Sequence, residues 1–186
     1  MDTTQNTPGG IPPNPPIWLT SQAYAGVCPK CGAATDALSR MFHPGEGCED
    51  HEQYKRILAL AKHLGEDPDE VQKASYGENT YEFGRQEWLV LTDEEADERA
   101  RDYIHDSVWA FRPEFLIAHM PRGMTTKAIK LIQQACEDAN EPLSAMLVDR
   151  DHFVDDAIRA DGRGHFLSSY DGEENESEGY FLYRVN

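Results

Sequence analysis

The hydrophobic repeat of the chain changes abruptly at Thr92. Residues 80–91, TYEFGRQEWLVL, alternate apolar and polar side chains around Gly84, which is typical of a β-hairpin in which Tyr81 and Phe83 face Trp88 or its neighbours. From Thr92 onward the apolar residues recur at helical spacing: Ala96, Ala100, Tyr103, Ile104, Val108 and Phe111. Glu95 follows Thr92 at the spacing of a capping box. The chain must therefore fold a strand pair that leads directly into a long amphipathic helix.

Other segments show weaker periodic patterns. A helix with Ile57, Leu58, Ala61 and Leu64 on one face ends at Gly65. Asp67, Pro68 and Glu70 then predict a capped short helix that reaches about Ala74. A later helix over residues 125–139 carries a stripe of Ala128, Leu131, Ile132, Ala135, Cys136 and Ala139. The stripe places Cys136 in the core as a small hydrophobe.

The last third of the chain predicts a helix, a loop and a strand. The helical region 142–158 has a possible second cap at Asp151. Residues 161–179, DGRGHFLSSYDGEENESEG, are punctuated by glycines and predict a loop. Residues 180–185, YFLYRV, alternate like a strand. Together these patterns predict an α+β fold, in which a small, mainly antiparallel sheet packs with three to four helices. No glycine-rich nucleotide-binding motif occurs.

Two pairs of metal-ligating residues stand in the N-terminal third of the chain. The pairs Cys28/Cys31 and Cys48/His51 have the spacing C-x2-C and C-x2-H, which is typical of zinc ribbons and zinc fingers. Four protein ligands leave no open position for a reactive water, so the sequence predicts a structural Zn2+. His43 is an alternative fourth ligand. A redox CxxC site fits less well, because no thioredoxin-like pattern surrounds the motif.

These patterns divide the chain into three parts. Residues 1–16 hold five prolines and predict a disordered arm, residues 17–55 a zinc-ribbon-like module, and residues 56–186 an acidic α+β domain. The first 20 residues lack the basic start and apolar stretch of a secretory signal, and no apolar run reaches the length of a membrane span. We therefore expect a cytoplasmic location without a membrane partner.

The chain is strongly acidic. It has 34 Asp and Glu against 17 Lys and Arg, and 21 of these acids lie in residues 91–186. Phosphate should be repelled, so we expect no direct binding to nucleic acid. Eight acids form two rows that predict a partner-binding surface: Asp93, Glu94, Asp97, Glu98 and Asp102 in the helix after Thr92, and Glu173, Glu174 and Glu176 in the late loop. A merely solvated acidic face is the alternative.

The loop around His165 gives a second functional hypothesis. It places His165, Ser168 and Asp171 between glycines, and a small enzyme site could be drawn from these side chains. Residues so close in sequence rarely meet as a catalytic triad, and the same residue types suit an ordinary turn. The sequence favours an architectural role for His165 and Asp171, with Gly162 or Gly164 at positive φ.

Two stretches carry a resemblance to other proteins. WLVLTDEEADERARDYIHDSVWAF and ADGRGHFLSSYDGEENE, with the closing YRVN, resemble a family of small acidic proteins encoded by bacteriophages and other bacterial mobile elements, over roughly residues 56–186. The resemblance implies no activity or site residue, but it implies a context. Small acidic accessory proteins made in an infected bacterium often block host defence nucleases.

The function expected from the sequence is therefore non-enzymatic. We expect an accessory protein that binds and inhibits a basic, nucleic-acid-binding host defence protein by DNA mimicry, with carboxylates standing where phosphates would bind. The alternatives are the small enzyme with a site around His165 and a protein-interaction adapter that uses the zinc module.

Overall fold

The described part of the chain begins late in the N-terminal third. A computed structural model describes the backbone of residues 49–186 and the side chains from residue 52 onward. The chain divides into two compact units, Met1–Arg56 and Ile57–Asn186. The predicted arm and the predicted zinc ligands lie outside the described residues: Cys28, Cys31, His43, Cys48 and the side chain of His51. The zinc module therefore stays a prediction.

The fold is α+β, as the sequence predicts. The described residues form six helices: α1 (Glu49–Leu64), α2 (Asp93–Asp106), α3 (Pro113–Ala118), α4 (Thr126–Gln133), α5 (Asn140–Ala145) and α6 (Arg150–Leu167). They also form five strands: β1 (Gln72–Lys73), β2 (Thr80–Phe83), β3 (Gln86–Leu91), β4 (Asn175–Ser177) and β5 (Tyr180–Arg184). Three or four helices were expected, because α3 and α5 are too short to show a clear repeat.

The five strands form one antiparallel sheet in the order β1-β2-β3-β5-β4. The predicted hairpin is confirmed: β2 pairs with β3, and Tyr81 stands opposite Trp88. The closing strand joins it as predicted, because β5 pairs with β3 and places Tyr183 opposite Leu89. Alternate residues then serve opposite faces of the sheet. On one face Val90 and Leu182 pack with Leu60 of α1.

Helix α2 covers the other face of the sheet. Its capping box is complete, since the Thr92 N–H donates to Glu95 Oε2 at 2.8 Å and the Glu95 N–H donates to Thr92 Oγ1 at 3.3 Å. Ala96 and Ala100 are fully buried against Leu91 and Tyr183. Of the predicted stripe, only Tyr103 is exposed. Small alanines let the helix lie close to the sheet.

A helical core continues from the far end of α2. Its centre consists of Ile104, Val108, Leu116, Ile129, Leu143 and Phe153, all fully buried. These residues come from α2, α3, α4, α5, α6 and the 3-10 turn Val108–Ala110. Long α6 packs along α2, so the two helices join the sheet to this second core.

The predicted short helix after Asp67 is wrong beyond its first turn. Asp67 does cap it, and accepts a hydrogen bond from the Asp69 N–H at 3.0 Å. However, the segment forms only a 3-10 turn, Pro68–Glu70, and then the edge strand β1. Val71 is buried in the sheet core, and this burial favours extended backbone over a helix that would turn Val71 away.

The predicted stripe of the helix 125–139 is wrong in part: Ala139 is buried and Ile132 packs against the helical core, but Leu131, Ala135 and Cys136 are exposed. Helix α4 ends at Gln133, and a 3-10 turn, Cys136–Ala139, follows. Ile129 is the fully buried residue of α4, while Leu131 is exposed. Cys136 has a φ of 53° and is exposed, so it is no part of the core. The backbone angles of Cys136 are not helical. The helical repeat that would place its side chain on the buried face therefore stops before it.

Helix α6 contradicts the predicted start and end of its segment. Asp149, not Asp151, caps it and accepts from the His152 N–H at 3.0 Å. The helix continues past the predicted end at Ile158 through the first seven residues of the predicted loop 161–179, DGRGHFL, and ends at Leu167. Burial of Phe166 and Leu167 stabilises this last turn. The break that the glycines predict is local: Gly162 alone has non-helical angles, with φ 78° and ψ 158°.

Gly164 allows the closest backbone approach at this end of α6. A Cβ built on Gly164 would lie 2.4 Å from the Gly172 carbonyl oxygen and 2.8 Å from the Glu173 carbonyl carbon. Nothing lies within 4 Å of a Cβ at Gly162, where only the positive φ disfavours a side chain. The two glycines are therefore needed for different physical reasons.

This difference gives two testable losses of stability. Gly164→Ala should lower the free energy of unfolding by about 2–3 kcal/mol, because the backbone of residues 172–173 must move away. Gly162→Ala should cost about 1–3 kcal/mol from backbone strain alone, since its φ and ψ are rarely adopted by residues with a side chain. Urea unfolding of both variants and the wild type measures the losses. A Gly164→Ala variant within about 0.5 kcal/mol of the wild type would contradict the close approach.

Candidate protein-interaction surface

The predicted acidic row of α2 divides between two sides of the helix. Asp93 and Asp97 stand one turn apart and contact α6. Glu94, Glu98 and Asp102 are exposed, and within residues 52–186 no cation pairs with them. The division follows from helix geometry, because residues four apart share a face and residues one apart do not.

Arg163 binds the carboxylates on the inner side. Its Nη1 donates to Asp93 Oδ1 at 2.8 Å and to Asp97 Oδ1 at 2.9 Å. Its Nε and Nη2 donate to the two oxygens of Glu174 at 2.9 and 3.1 Å, which is a bidentate pair. The Arg163 side chain is only 11% exposed, and its guanidinium lies 4.4 Å from the centre of the Phe181 ring. We call these residues, Arg163 with Asp93, Asp97 and Glu174, the Arg163 cluster.

The carboxylates of the cluster stabilise the charge of Arg163. Burial of Arg163 opposes the charged form, but the hydrogen bonds to Glu174 and Asp93 prevail and raise its pKa. Tyr183 Oη donates to Glu174 Oε2 at 2.7 Å, and burial together with this carboxylate raises the pKa of Tyr183. Three of the eight acids predicted to bind a partner therefore also have a structural role in the fold, and partner binding by the eight stays a prediction.

The remaining candidates lie on α2 and on the segment around β4. Glu173 and Glu176 are exposed, like Glu94, Glu98 and Asp102. Glu98 and Asp102 also border a cleft of about 390 Å³ that Glu78, Glu95 and Arg99 help to line. Arg99 donates to the backbone oxygen of Glu78 at 3.2 Å. The outer side of α2 is therefore dominated by carboxylates.

The segment after α6 has the architectural role expected of Asp171. Ser168 Oγ lies 2.6 Å from Asp171 Oδ1 and 2.7 Å from the Arg184 carbonyl oxygen. The Glu173 N–H also donates to Asp171. The Ser168 hydroxyl, followed by this N–H, lowers the pKa of Asp171. These bonds join the end of α6 to β5 and position Glu174 beside Arg163.

His165 lies beside a cleft of about 610 Å³. It is exposed, and its ring meets the Phe166 ring edge-on. The cleft also has hydroxyl and carboxylate side chains in its lining, namely Tyr103, Ser107, Glu114 and Asp161. The Ser107 hydroxyl donates to the Tyr103 carbonyl oxygen. The enzyme hypothesis around His165 stays a prediction.

Sequence reasoning missed a second cluster on the opposite end of α6. His119, at the C-terminal end of α3, meets His152 and Asp156 of α6. His152 and Asp156 are one helical turn apart, a signal that the sequence does contain. His119 comes from another element, and its pairing with them depends on the tertiary fold.

Comparisons with known proteins add no relative. No family model, no curated protein and no solved structure matches the chain. Among the described helices, none is both long and apolar enough to cross a membrane.

Removal of Arg163 tests the cluster. Arg163→Met should lower the free energy of unfolding by about 2 kcal/mol, because Glu174 and Tyr183 lose a charged partner, although exposed Asp93 and Asp97 regain water. Arg163→Lys should recover little of this free energy of unfolding, since an ammonium group cannot form the bidentate pair. Arg159→Met, which removes an exposed arginine of the same helix, is the matched control and should cost under about 0.5 kcal/mol. Equal losses at Arg163 and Arg159 in thermal unfolding would contradict the role of the cluster.

Proposed function

We propose that this chain is a non-enzymatic accessory protein of a bacteriophage or mobile element, and that it binds and inhibits a basic, nucleic-acid-handling defence protein of the host. The outer side of α2 binds the partner, and its carboxylates take the place of phosphates. The observation that supports this is the row Glu94, Glu98, Asp102 and Asp106, four exposed acids at successive helical turns that pair with no cation of the described region. Below, these four residues are the α2 outer row.

The outer row presents a regular line of negative charge. Residues four apart rise about 6 Å along a helix, so the row spans about 18 Å with four carboxylates. A phosphate-binding surface, which carries lysines and arginines, has the complementary charge.

The outer row also destabilises the isolated helix. Each pair of like charges four apart costs about 0.2–0.5 kcal/mol. The helix dipole favours Glu94 in the first turn but disfavours Asp106 in the last. On the inner side of the same helix, Asp93 and Asp97 are paired with Arg163. A binding role gives a reason for the uncompensated charges on the outer side.

The cleft beside the row offers a place for a partner's cation. Glu78, Glu98 and Asp102 line it together with Arg99, which donates to the Glu78 carbonyl oxygen. A partner's lysine or arginine that entered there would lie near these three carboxylates and this one guanidinium. Partial desolvation in such a cleft strengthens each ion pair over an open surface pair.

Charge reversal of the outer row tests the proposal. The triple variant Glu94→Lys, Glu98→Lys, Asp102→Lys should weaken the complex at least ~100-fold, at about 1–3 kcal/mol for each lost contact. The neutral variant Glu94→Gln, Glu98→Gln, Asp102→Asn should weaken it less. Both variants leave Asp93 and Asp97 in place, so the Arg163 cluster is kept. A pull-down from a bacterial host provides the partner, and calorimetry at low and high salt measures the affinity.

The matched control changes net charge by the same amount elsewhere. Glu137→Lys, Asp138→Lys, Glu141→Lys reverses three exposed acids near α5 and should leave the affinity within a few-fold. Circular dichroism checks that each variant folds. If the outer-row and control variants bind alike, or if binding ignores salt, the outer row is not the interface.

A further inference from the structure

We propose that His119, His152 and Asp156 bind a divalent transition-metal ion. One ligand atom from each residue, an imidazole nitrogen or a carboxylate oxygen, lies within 4.8 Å of the other two. This site is separate from the predicted cysteine-based zinc module and from the α2 outer row.

The distances within the site match those around a bound ion. His119 Nε2 lies 3.7 Å from Asp156 Oδ2, and His152 Nε2 lies 3.4 Å from the same oxygen. Ligands about 2.0–2.2 Å from a tetrahedral ion stand about 3.3–3.6 Å from one another. Small side-chain rotations would therefore bring all three atoms onto one ion.

The fold holds His119 and Asp156 from outside the site. The His119 ring is packed between Phe115 and Phe153, with ring centres 5.0 and 5.3 Å away. The Val148 N–H donates to the His119 carbonyl oxygen at 2.9 Å and joins this residue to the start of α6. Arg159 donates to Asp156 Oδ1, so Oδ2 faces the two imidazoles. Outer contacts of this kind orient metal ligands in known sites.

The charges around the site suit a cation. No described lysine joins the site, and the guanidinium of Arg159 contacts the other carboxylate oxygen.

The ligand set indicates the class of ion. Two imidazoles and one carboxylate suit Zn2+, Fe2+, Co2+ or Ni2+ rather than Ca2+ or Mg2+, which take mainly oxygen ligands. Three protein ligands leave at least one position for water or another molecule. A bound ion would join the end of α3 to the first turns of α6.

Zinc binding to the full chain tests this site. His152 is 61% exposed, so His152→Ala should fold normally, whereas His119 is 8% exposed and its replacement risks the core. After dialysis against micromolar Zn2+, His152→Ala should retain one equivalent less than the wild type. Asp156→Asn should do the same. His165→Ala, the matched control, removes an exposed histidine of the same helix and should bind as the wild type does.

Cobalt distinguishes this site from the predicted cysteine site. Co2+ bound by His119, His152 and Asp156 gives no thiolate charge-transfer band, and its spectrum should persist in Cys28→Ser and disappear in His152→Ala. We expect His152→Ala to weaken this binding at least ~100-fold. Equal zinc content in the wild type and His152→Ala, or binding only at millimolar metal, would overturn the proposal. Neither result depends on partner binding, so the proposed function is tested separately.

Discussion

The guanidinium of Arg163 is the contact on which the arrangement of the described domain depends. It joins three elements that are distant in sequence: the first turns of α2, the last turn of α6 and the segment before β4. Because the side chain is nearly buried, its charge needs these carboxylates. The break at Gly162 and the close approach at Gly164 both lie beside Arg163 in the chain, and Gly164 brings residues 172–174 next to the last turn of α6. The two glycines and the ion pairs of Arg163 thus hold the same three elements together.

The contacts of Arg163 show that the acidic residues of the chain do not all have the same role. A chain with a net charge of −17 suggests one uniform acidic surface. The Arg163 cluster instead uses Asp93, Asp97 and Glu174 to hold the fold, and it leaves the outer row of α2 without compensation. The two sides of one helix therefore have different roles. The proposed binding of a basic partner concerns only the outer side, where repulsion between neighbouring carboxylates would be relieved by a partner's cations.

The elements set by local chemistry could be predicted from the sequence, and those set by distant contacts could not. The capping box at Thr92 and Glu95 and the hairpin around Gly84 depend on residues within a few positions of each other, and both were predicted correctly. The exposure of Cys136 could not be predicted, because its helix ends where tertiary packing at Ile129 and Ala139 requires it. The continuation of α6 past Gly162 depends on burial of Phe166. Arg163 meets Asp93 across 70 positions, and His119 meets Asp156 across two helices, so neither pairing has a signal in a single sequence.

The division between a structural and a free side of α2 can be measured most directly by two double-mutant cycles on the free energy of unfolding. One cycle pairs Arg163→Met with Glu174→Gln, and the other pairs Arg163→Met with Glu98→Gln. The account predicts a coupling of about 1 kcal/mol or more for Arg163 with Glu174, and a coupling within about 0.3 kcal/mol of zero for Arg163 with Glu98. Equal couplings in the two cycles, or none in the first, would contradict it.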